Sequence, residues 1–559
     1  MLAVTLGIVL SRNNNDTNTP EHFKIVDTKA GKIQGKIINI IKDDGQEEMV
    51  YRFRNIPYAE PPIGDLRWKP PQRARRWNET LAYSDKQIWC KQSPLFRKDK
   101  GVEDCLILTI RQPASANAFS PYPVLFWIHG GGLLFGSSDM YYPDEQCSAS
   151  LEMVTVSINY RLSVFGFLSL KEIWSPDINS NELKDRSYGN FGIWDMILAL
   201  EWVKDNIGSF GGDPNRVTIL GESGGGAAVF SLVTSPLTNS LFSKAIAASG
   251  YPVAPESTYT KADAVYGQKF KKDLNCTEGE ASVIEECLKG KTAEQISDHL
   301  PPYYGDSGNE SHWIFPFNTK FNDYIRVIDN ITIIESITHF EKYNKDGRLQ
   351  LLIGNTAQEL PAGEQVKTQK SMEAFLEPRI NSFDPTGVAF TKLMKLYQEK
   401  RPLDKTSPEN ITPYGVYQSM AADVALSCQT NNIVQGLRKL PNLDVYRYVV
   451  SQPLSKNFDP RSQFEPSAYH GIDTDALFGI TYNRKFKVTD KDRALIMNFR
   501  KIVKGFVYDV QNFDGSYSNK TIEFWDEKIM VFDKMYHEKE CYVLEEYGFL
   551  KRSWGQVNV

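Results

Sequence analysis

The run Gly221-Glu222-Ser223-Gly224-Gly225 directly follows the apolar stretch Arg216–Leu220. A strand that ends in Gly-x-Ser-x-Gly and enters a helix lifts one hydroxyl out of a strained turn at the tip of a sheet. Glycines are needed on either side because side chains there would collide with neighbouring backbone. A serine so placed can attack a carbonyl if a base takes its proton and donors receive the charge that forms on the oxygen. Upstream, His129-Gly130-Gly131-Gly132 follows the apolar run Val124–Ile128. Consecutive glycines let a backbone present amides without obstruction, so Gly131, Gly132 and Gly224 are candidate oxyanion donors. A tight turn after a strand would also explain the glycines. Their place ahead of the serine turn favours the oxyanion hole.

The base must come from seven histidines. A serine-acid-base chain order puts it downstream of Ser223, leaving His299, His312, His339, His470 and His537. His470 stands in Ala468–Phe478, after the apolar run Val445–Val450 and a loop, as a base hanging over a sheet edge would. His312 in a charged loop and His537 beside a surface helix read as solvated. An acid belongs at a strand's carboxyl end, and Glu359 after Leu349–Ile353 fits. With 69 acidic residues in the chain, spacing leaves that choice open.

The elements that must carry these groups are partly readable. Phe23–Asn39 alternates apolar and polar residues around Gly31 and Gly35, a hairpin pattern. Prolines exclude helix from Ile56 to Gln72. Val124–Ile128, Val154–Ile158, Val217–Leu220, Lys244–Ala248, Leu349–Ile353 and Val445–Val450 read as mostly apolar strands, while Trp194–Ile207 has helical spacing at Ile197, Leu200, Trp202 and Val203. Such strands alternating with amphipathic helices imply a largely parallel sheet covered on both faces. Tyr251–Gly347 reads as helical excursions from it.

The chain has 559 residues, 41% hydrophobic and 24% charged, enough for a sizeable core. A net charge of -5 with scattered basic residues argues against nucleic acid. Met1–Leu10 is apolar and then turns polar at Ser11–Asn15, as a signal peptide does. Asn15, Asn78, Asn275, Asn309, Asn330, Asn410 and Asn519 each begin an Asn-x-Ser/Thr glycosylation sequon, which fits a secreted or secretory-pathway protein. No later run reaches the ~18 apolar residues of a spanning helix, and Ser553–Val559 has no lipid-anchor tail; no stable membrane anchor is expected. Seven cysteines leave at least one unpaired if the rest form bridges. Cys90 and Cys105, and Cys276 and Cys287, have spacings suited to loop closure. Neither pair has the partner motif of a zinc site, and no metal or cofactor is expected.

Many ordered motifs resemble the carboxylesterase/lipase type B family, which includes cholinesterases. They are Phe53–Arg67, Glu103–Leu106, His129–Gly132, Asn159–Arg161, Gly189–Gly192, Asn206-Ile207, Phe210–Pro214, Gly221–Gly225, Gly354–Glu359 and His470-Gly471. The resemblance implies an α/β-hydrolase fold: a mostly parallel twisted sheet with helices on both faces and an N-terminal antiparallel hairpin. It implies one such domain over residues 21–552, after an apolar start at 1–11. Ser223 becomes the nucleophile, Glu359 the acid and His470 the base, with Gly131, Gly132 and Gly224 as oxyanion donors and Ser249 as a support of the triad. Arg67 with Glu103, and Arg161 with Asp195, match structural salt bridges. The implied disulfides are Cys90–Cys105, Cys276–Cys287 and, by similarity to the cholinesterase branch, Cys428–Cys541, which leaves Cys147 free.

The chain departs from the family at Asn55, where glycine prevails, at Met196, where glutamine does, at Gly224, where alanine is commoner, and at Leu360, where glycine is usual. The loop from Cys90 to Cys105 lacks the tryptophan with which cholinesterases bind choline. The implied function is therefore a carboxylesterase acting on small carboxylic esters, with self-association into a homo-oligomer left open. Alternatives are a lipase, a cholinesterase, or a non-catalytic adhesion protein of the neuroligin kind.

Overall fold

A computed structural model of the chain describes residues 9–10, 22–93, 101–140, 142–173, 189–250, 257–300, 327–329, 332–333, 349–359, 366–398, 412–454, 467–479, 488–509, 520–525, 528–532 and 536–550. The strands, in chain order, begin with β1 (Val9–Leu10), β2 (His22–Asp27), β3 (Lys32–Ile41), β4 (Glu47–Pro57) and β5 (Ile107–Pro113). Next come β6 (Tyr122–Ile128), β7 (Val154–Ile158), β8 (Gly212–Glu222), β9 (Lys244–Ala248), β10 (Ser257–Thr258) and β11 (Val327–Ile328). The last are β12 (Leu349–Thr356), β13 (Leu443–Val450), β14 (Thr521–Trp525) and β15 (Lys528–Phe532).

All but β10 and β11, which pair with each other, form one sheet in the order β1-β2-β3-β4-β5-β7-β6-β8-β9-β12-β13-β14-β15. From β7 through β14 every neighbour is parallel. Antiparallel strands β1 to β5 extend one edge and β15 the other. The antiparallel flank thus runs beyond the expected hairpin, because β4 and β5 join it. Their polar and proline residues (Arg52, Arg54, Arg111, Gln112) hide the strand pattern from a sequence reading.

The central parallel strands β6, β8, β9, β12 and β13 each serve two cores, which explains their apolar runs. Val124, Phe126 and Ile128 of β6 enter one apolar cluster, and Leu125 and Trp127 the other. Helices Phe191–Asn206 and Gly224–Thr234 cover the first face; Ile472–Phe478 and Asp490–Tyr508 cover the second. Helices Gln369–Asn381, Val388–Gln398, Pro413–Ala422 and Glu538–Glu546 share a third cluster, tied by Cys428–Cys541.

Three local outcomes refine the sequence reading. The proline-rich stretch holds one 3-10 turn at Gly64–Leu66. Asn55 adopts φ 55° at the irregular register between Phe53 and Ile56 and donates to the carbonyls of Ser84 and Lys86. Asparagine tolerates that left-handed conformation better than other non-glycine residues, so it can stand where the family has glycine. His537, read as solvated, is instead largely buried: its Nδ1 lies 2.7 Å from Asp423 Oδ2, which also accepts from the Tyr397 hydroxyl at 2.6 Å. Helical excursions are present at residues 257–300; Leu360, His312, His339 and most of 301–347 lie outside the described residues.

The glycine that opens the Gly354–Glu359 motif has a packing cause. Tyr448 of β13 is the register partner of Gly354 on β12, and a Cβ built on that glycine would lie 1.8 Å from the phenol ring. Gly354→Ala should therefore destabilise the protein by about 3 kcal/mol, the upper range for overpacking, seen as a lower denaturation midpoint.

Candidate active site

The carboxyl ends of adjacent parallel strands bring the chemistry together, where open α/β sheets bind ligands. His129 follows β6, Ser223 follows β8, Ser249 follows β9, and Glu359 lies just past β12. His470 arrives from the loop beyond β13, ahead of helix Ile472–Phe478.

Ser223 has φ 56° and ψ -120° at the N-terminus of helix Gly224–Thr234, and its amide donates to Ala248 O at 2.9 Å. That is the strained turn its flanking glycines predict. A Cβ on Gly221 would lie 2.3 Å from Gly225 O, and one on Gly225 2.2 Å from Ile128 O. At Gly224 an added Cβ would lie 2.7 Å from the Gly132 nitrogen and 2.8 Å from that of Leu133. The glycine loop and the serine turn therefore touch, and this chain has no room for the commoner alanine. Gly131 and Gly132 take φ 97° and 62°.

His129 anchors that loop. Its ring stacks on Tyr160 at 4.4 Å, and the Tyr160 hydroxyl donates to His129 O at 2.7 Å. Burial pulls the imidazole pKa down to about 4, so it is neutral at physiological pH.

Glu359 Oε2 contacts His470 Nδ1 at 2.5 Å. The other oxygen, Oε1, accepts from the Thr356 amide at 2.6 Å and from the Ser249 hydroxyl at 2.8 Å. Ser249 is buried at φ 45° and donates its own amide to Gly354 O at 2.8 Å. The two loops are stitched directly: Gln358 N donates to Ala468 O at 3.1 Å, and Ala468 N to Gln358 Oε1 at 2.7 Å. Behind them the fully buried Arg447 of β13 donates to Asn355 Oδ1 and to the carbonyl of Tyr448. Burial pulls its pKa down to about 10, with the charge of Glu359 opposing that shift.

One contact was not foreseen. Glu222, the wildcard before the serine, places Oε1 3.2 Å from His470 Nε2. His470 is thus held between two carboxylates, Glu359 at one ring nitrogen and Glu222 at the other. The sequence signal was a charged residue just after the apolar run Val217–Leu220. Gly130 makes room for it, since a Cβ there would lie 2.4 Å from Glu222 Oε2.

The remaining assignments fall as follows. Arg67 pairs with both oxygens of Glu103 at 2.6 and 2.7 Å, and Arg161 with both of Asp195 at 2.8 and 2.7 Å. The structure joins Cys90–Cys105, Cys276–Cys287 and Cys428–Cys541 and leaves Cys147 free and buried. Asn78 and Asn275 are exposed; Asn15, Asn309, Asn330, Asn410 and Asn519 lie outside the described residues. Among the described residues no helix is long and apolar enough to cross a membrane.

Comparison with known proteins shows the family of the chain. Rabbit (Oryctolagus cuniculus) liver carboxylesterase 1 is 37% identical over 293 residues, 50% of this chain and 49% of the relative. Mouse (Mus musculus) carboxylesterase 1F is 37% identical over 291 residues, again 50% and 49% of the two chains. Human (Homo sapiens) cocaine esterase is 34% identical over 312 residues, 53% and 52%. The chain spans about half the length of the curated relatives it matches. The profile of the Carboxylesterase family reaches further and matches residues 22–530, from the first antiparallel strands to the far sheet edge. The chain belongs to the carboxylesterase family.

Proposed function

We propose that this protein is a serine carboxylic-ester hydrolase, with residues 21–552 as its catalytic domain. The observation that carries this reading is the 2.5 Å contact of Glu359 with His470, in loops stitched to each other beside the strained Ser223 turn. Ser223 Oγ attacks the ester carbonyl carbon while its proton passes to His470 Nε2. The carbonyl electron pair moves onto oxygen, and amides of Gly131, Gly132 and Gly224 receive that charge. Collapse breaks the bond to the alcohol oxygen, which takes the proton from His470 and leaves an acyl-serine. Water then attacks the acyl carbon and gives its proton to His470, and collapse returns that proton to Ser223 and frees the carboxylic acid. Glu359 holds the tautomer and the charged imidazole throughout, and Ser249 holds Glu359.

The test is turnover of a p-nitrophenyl ester series together with stoichiometric labelling by a fluorophosphonate. Burst kinetics, labelling confined to Ser223 and an optimum at short acyl chains are expected. A long-chain optimum would make it a lipase, and folded protein without turnover or labelling would overturn the enzyme reading. The secretory route belongs to the same proposal, supported by the disulfides and the exposed Asn78 and Asn275.

Glu222 adds a second expectation. Its carboxylate favours a protonated His470, so Glu222→Gln should move the acid limb of the pH–rate profile about one unit lower. The assay is kcat/KM from pH 5 to 9. An unmoved limb would mean that the 3.2 Å contact does not bear on the base.

A further inference from the structure

The loop that carries the candidate oxyanion donors is closed on itself and gripped from outside by one side chain. Gly131 O accepts from the amides of Leu134 and Phe135 at 3.0 and 3.2 Å, so the chain doubles back after the glycines. The return limb presses on the start. A Cβ on Gly131 would lie 2.1 Å from Phe135 O, and one on Gly136 2.5 Å from His129 Nδ1. A displacement of Gly136 is therefore passed to Gly131 and Gly132. Gln92, only 1% exposed, holds both backbone groups of Gly136. Its Oε1 accepts from Gly136 N at 3.2 Å, and its Nε2 donates to Gly136 O at 3.3 Å. The second Nε2 hydrogen goes to Cys90 O at 2.9 Å.

Those three bonds use both amide hydrogens and the carbonyl oxygen of a glutamine. A glutamate would face two carbonyls with an acceptor, and an asparagine is one methylene short. A side chain can position a loop only if its own backbone is fixed. Here the Cys90–Cys105 disulfide ties the segment down, while Lys91 Nζ donates to Gly101 O at 3.3 Å and pairs with Glu294 Oε1 at 2.5 Å. Asn159 joins the same two stretches again, donating to Ile88 O and accepting from Ser138 N, each at 2.8 Å. Loss of the Gln92 amide thus frees Gly136 while the exit of the loop stays anchored. The loop itself abuts the serine turn, where a Cβ on Gly224 would lie 2.7 Å from Gly132 N. Donor distances of about 2.7–3.1 Å to an oxyanion leave little tolerance for drift.

We infer that Gln92 is a positioning residue for the oxyanion loop. Its amide locks Gly136 and thereby sets where the Gly131 and Gly132 amides stand relative to Ser223. The pinning of the loop stands without the proposed function, and its effect on turnover rests on that reading. Gln92→Met in the full chain, which matches the side chain's length and loses all three hydrogen bonds, tests both. Gln92→Glu keeps the acceptor for Gly136 N but turns the donor arm into an acceptor, and it serves if the first variant fails to fold. Hydrogen–deuterium exchange read by mass spectrometry comes first. The peptide covering 129–136 should exchange about tenfold faster than in the parent, with helix Gly224–Thr234 unchanged. Ester kinetics should then show kcat lowered about tenfold, KM within about twofold and the acid limb of the pH profile unmoved, because His470 is untouched. Affinity for a trifluoromethyl ketone, whose hemiketal oxyanion would occupy the same donors, should fall by the same factor. Unchanged exchange at 129–136 in a folded variant overturns the inference. Faster exchange with parental kcat and ketone affinity in an active enzyme overturns it too. A parent inert toward esters, whose loop exchange still quickens in the variant, supports the pin and overturns the functional reading.

Discussion

Purified Ser223→Ala protein is expected to lose about a million-fold in kcat on a p-nitrophenyl ester. The loss is large because, among the described residues, the neighbouring oxygens are committed elsewhere: Glu222 is engaged with His470, and Ser249 is buried with its hydroxyl on Glu359. KM should barely change, since the side chain removed is one hydroxyl. Folding should also survive, because the φ of 56° is imposed by backbone contacts at Gly221 and Gly225 rather than by the serine side chain. A residual rate some thousand-fold above water is expected from the intact oxyanion donors and binding surface. Retention of even one part in a hundred of parental kcat would remove Ser223 from the mechanism.

Glu359→Gln should cost about four orders of magnitude in kcat, by a route the hydrogen bonds define. Oε1 accepts from Thr356 N and from the Ser249 hydroxyl, so a glutamine must keep its carbonyl oxygen there. Its NH2 then takes the place of Oε2, 2.5 Å from His470 Nδ1. An imidazole facing a donor at Nδ1 must carry its own proton on Nε2, where it can no longer accept one from Ser223. Raising the pH would not rescue this variant, because the tautomer and not the charge is at fault. Kinetics from pH 6 to 9 would show a uniformly depressed profile. Recovery at high pH would mean that Glu359 acts only through its charge.

Much of the central architecture was legible because it depends on local pattern. Apolar strands such as Val124–Ile128 declare themselves by composition, and the glycines around Ser223 and after His129 by the crowding they relieve. The pairing of Glu359 with His470 was not legible from pattern, and neither was that of Glu222. Glu359 is singled out among many carboxylates by Gln358, whose pairing with Ala468 joins segments over a hundred residues apart. Glu222 occupies a wildcard position whose meaning appears only once the loop carrying His470 folds over it. His537 was misread for the same reason, since its partner Asp423 is 114 residues away. Strands β4 and β5 escaped because ion pairs such as Arg52 and Arg111 with Glu145 neutralise charges that look solvated in sequence.

The strand order has a consequence for biogenesis. β9 ends at Ala248, and its partner β12 begins at Leu349, about a hundred residues later. At ribosomal speeds of about 5–20 residues per second, β9 waits roughly 5–20 seconds as the open edge of a half-built sheet. An exposed edge of unpaired backbone groups on an apolar strand invites pairing with another chain. Lys244, at the start of that strand, reaches its acceptors Phe506 O and Val507 O only when helix Asp490–Tyr508 has been made. The late-synthesised half thus supplies both the loops that carry Glu359 and His470 and the strand that covers this edge, so chaperone demand should peak while residues 249–348 are being translated.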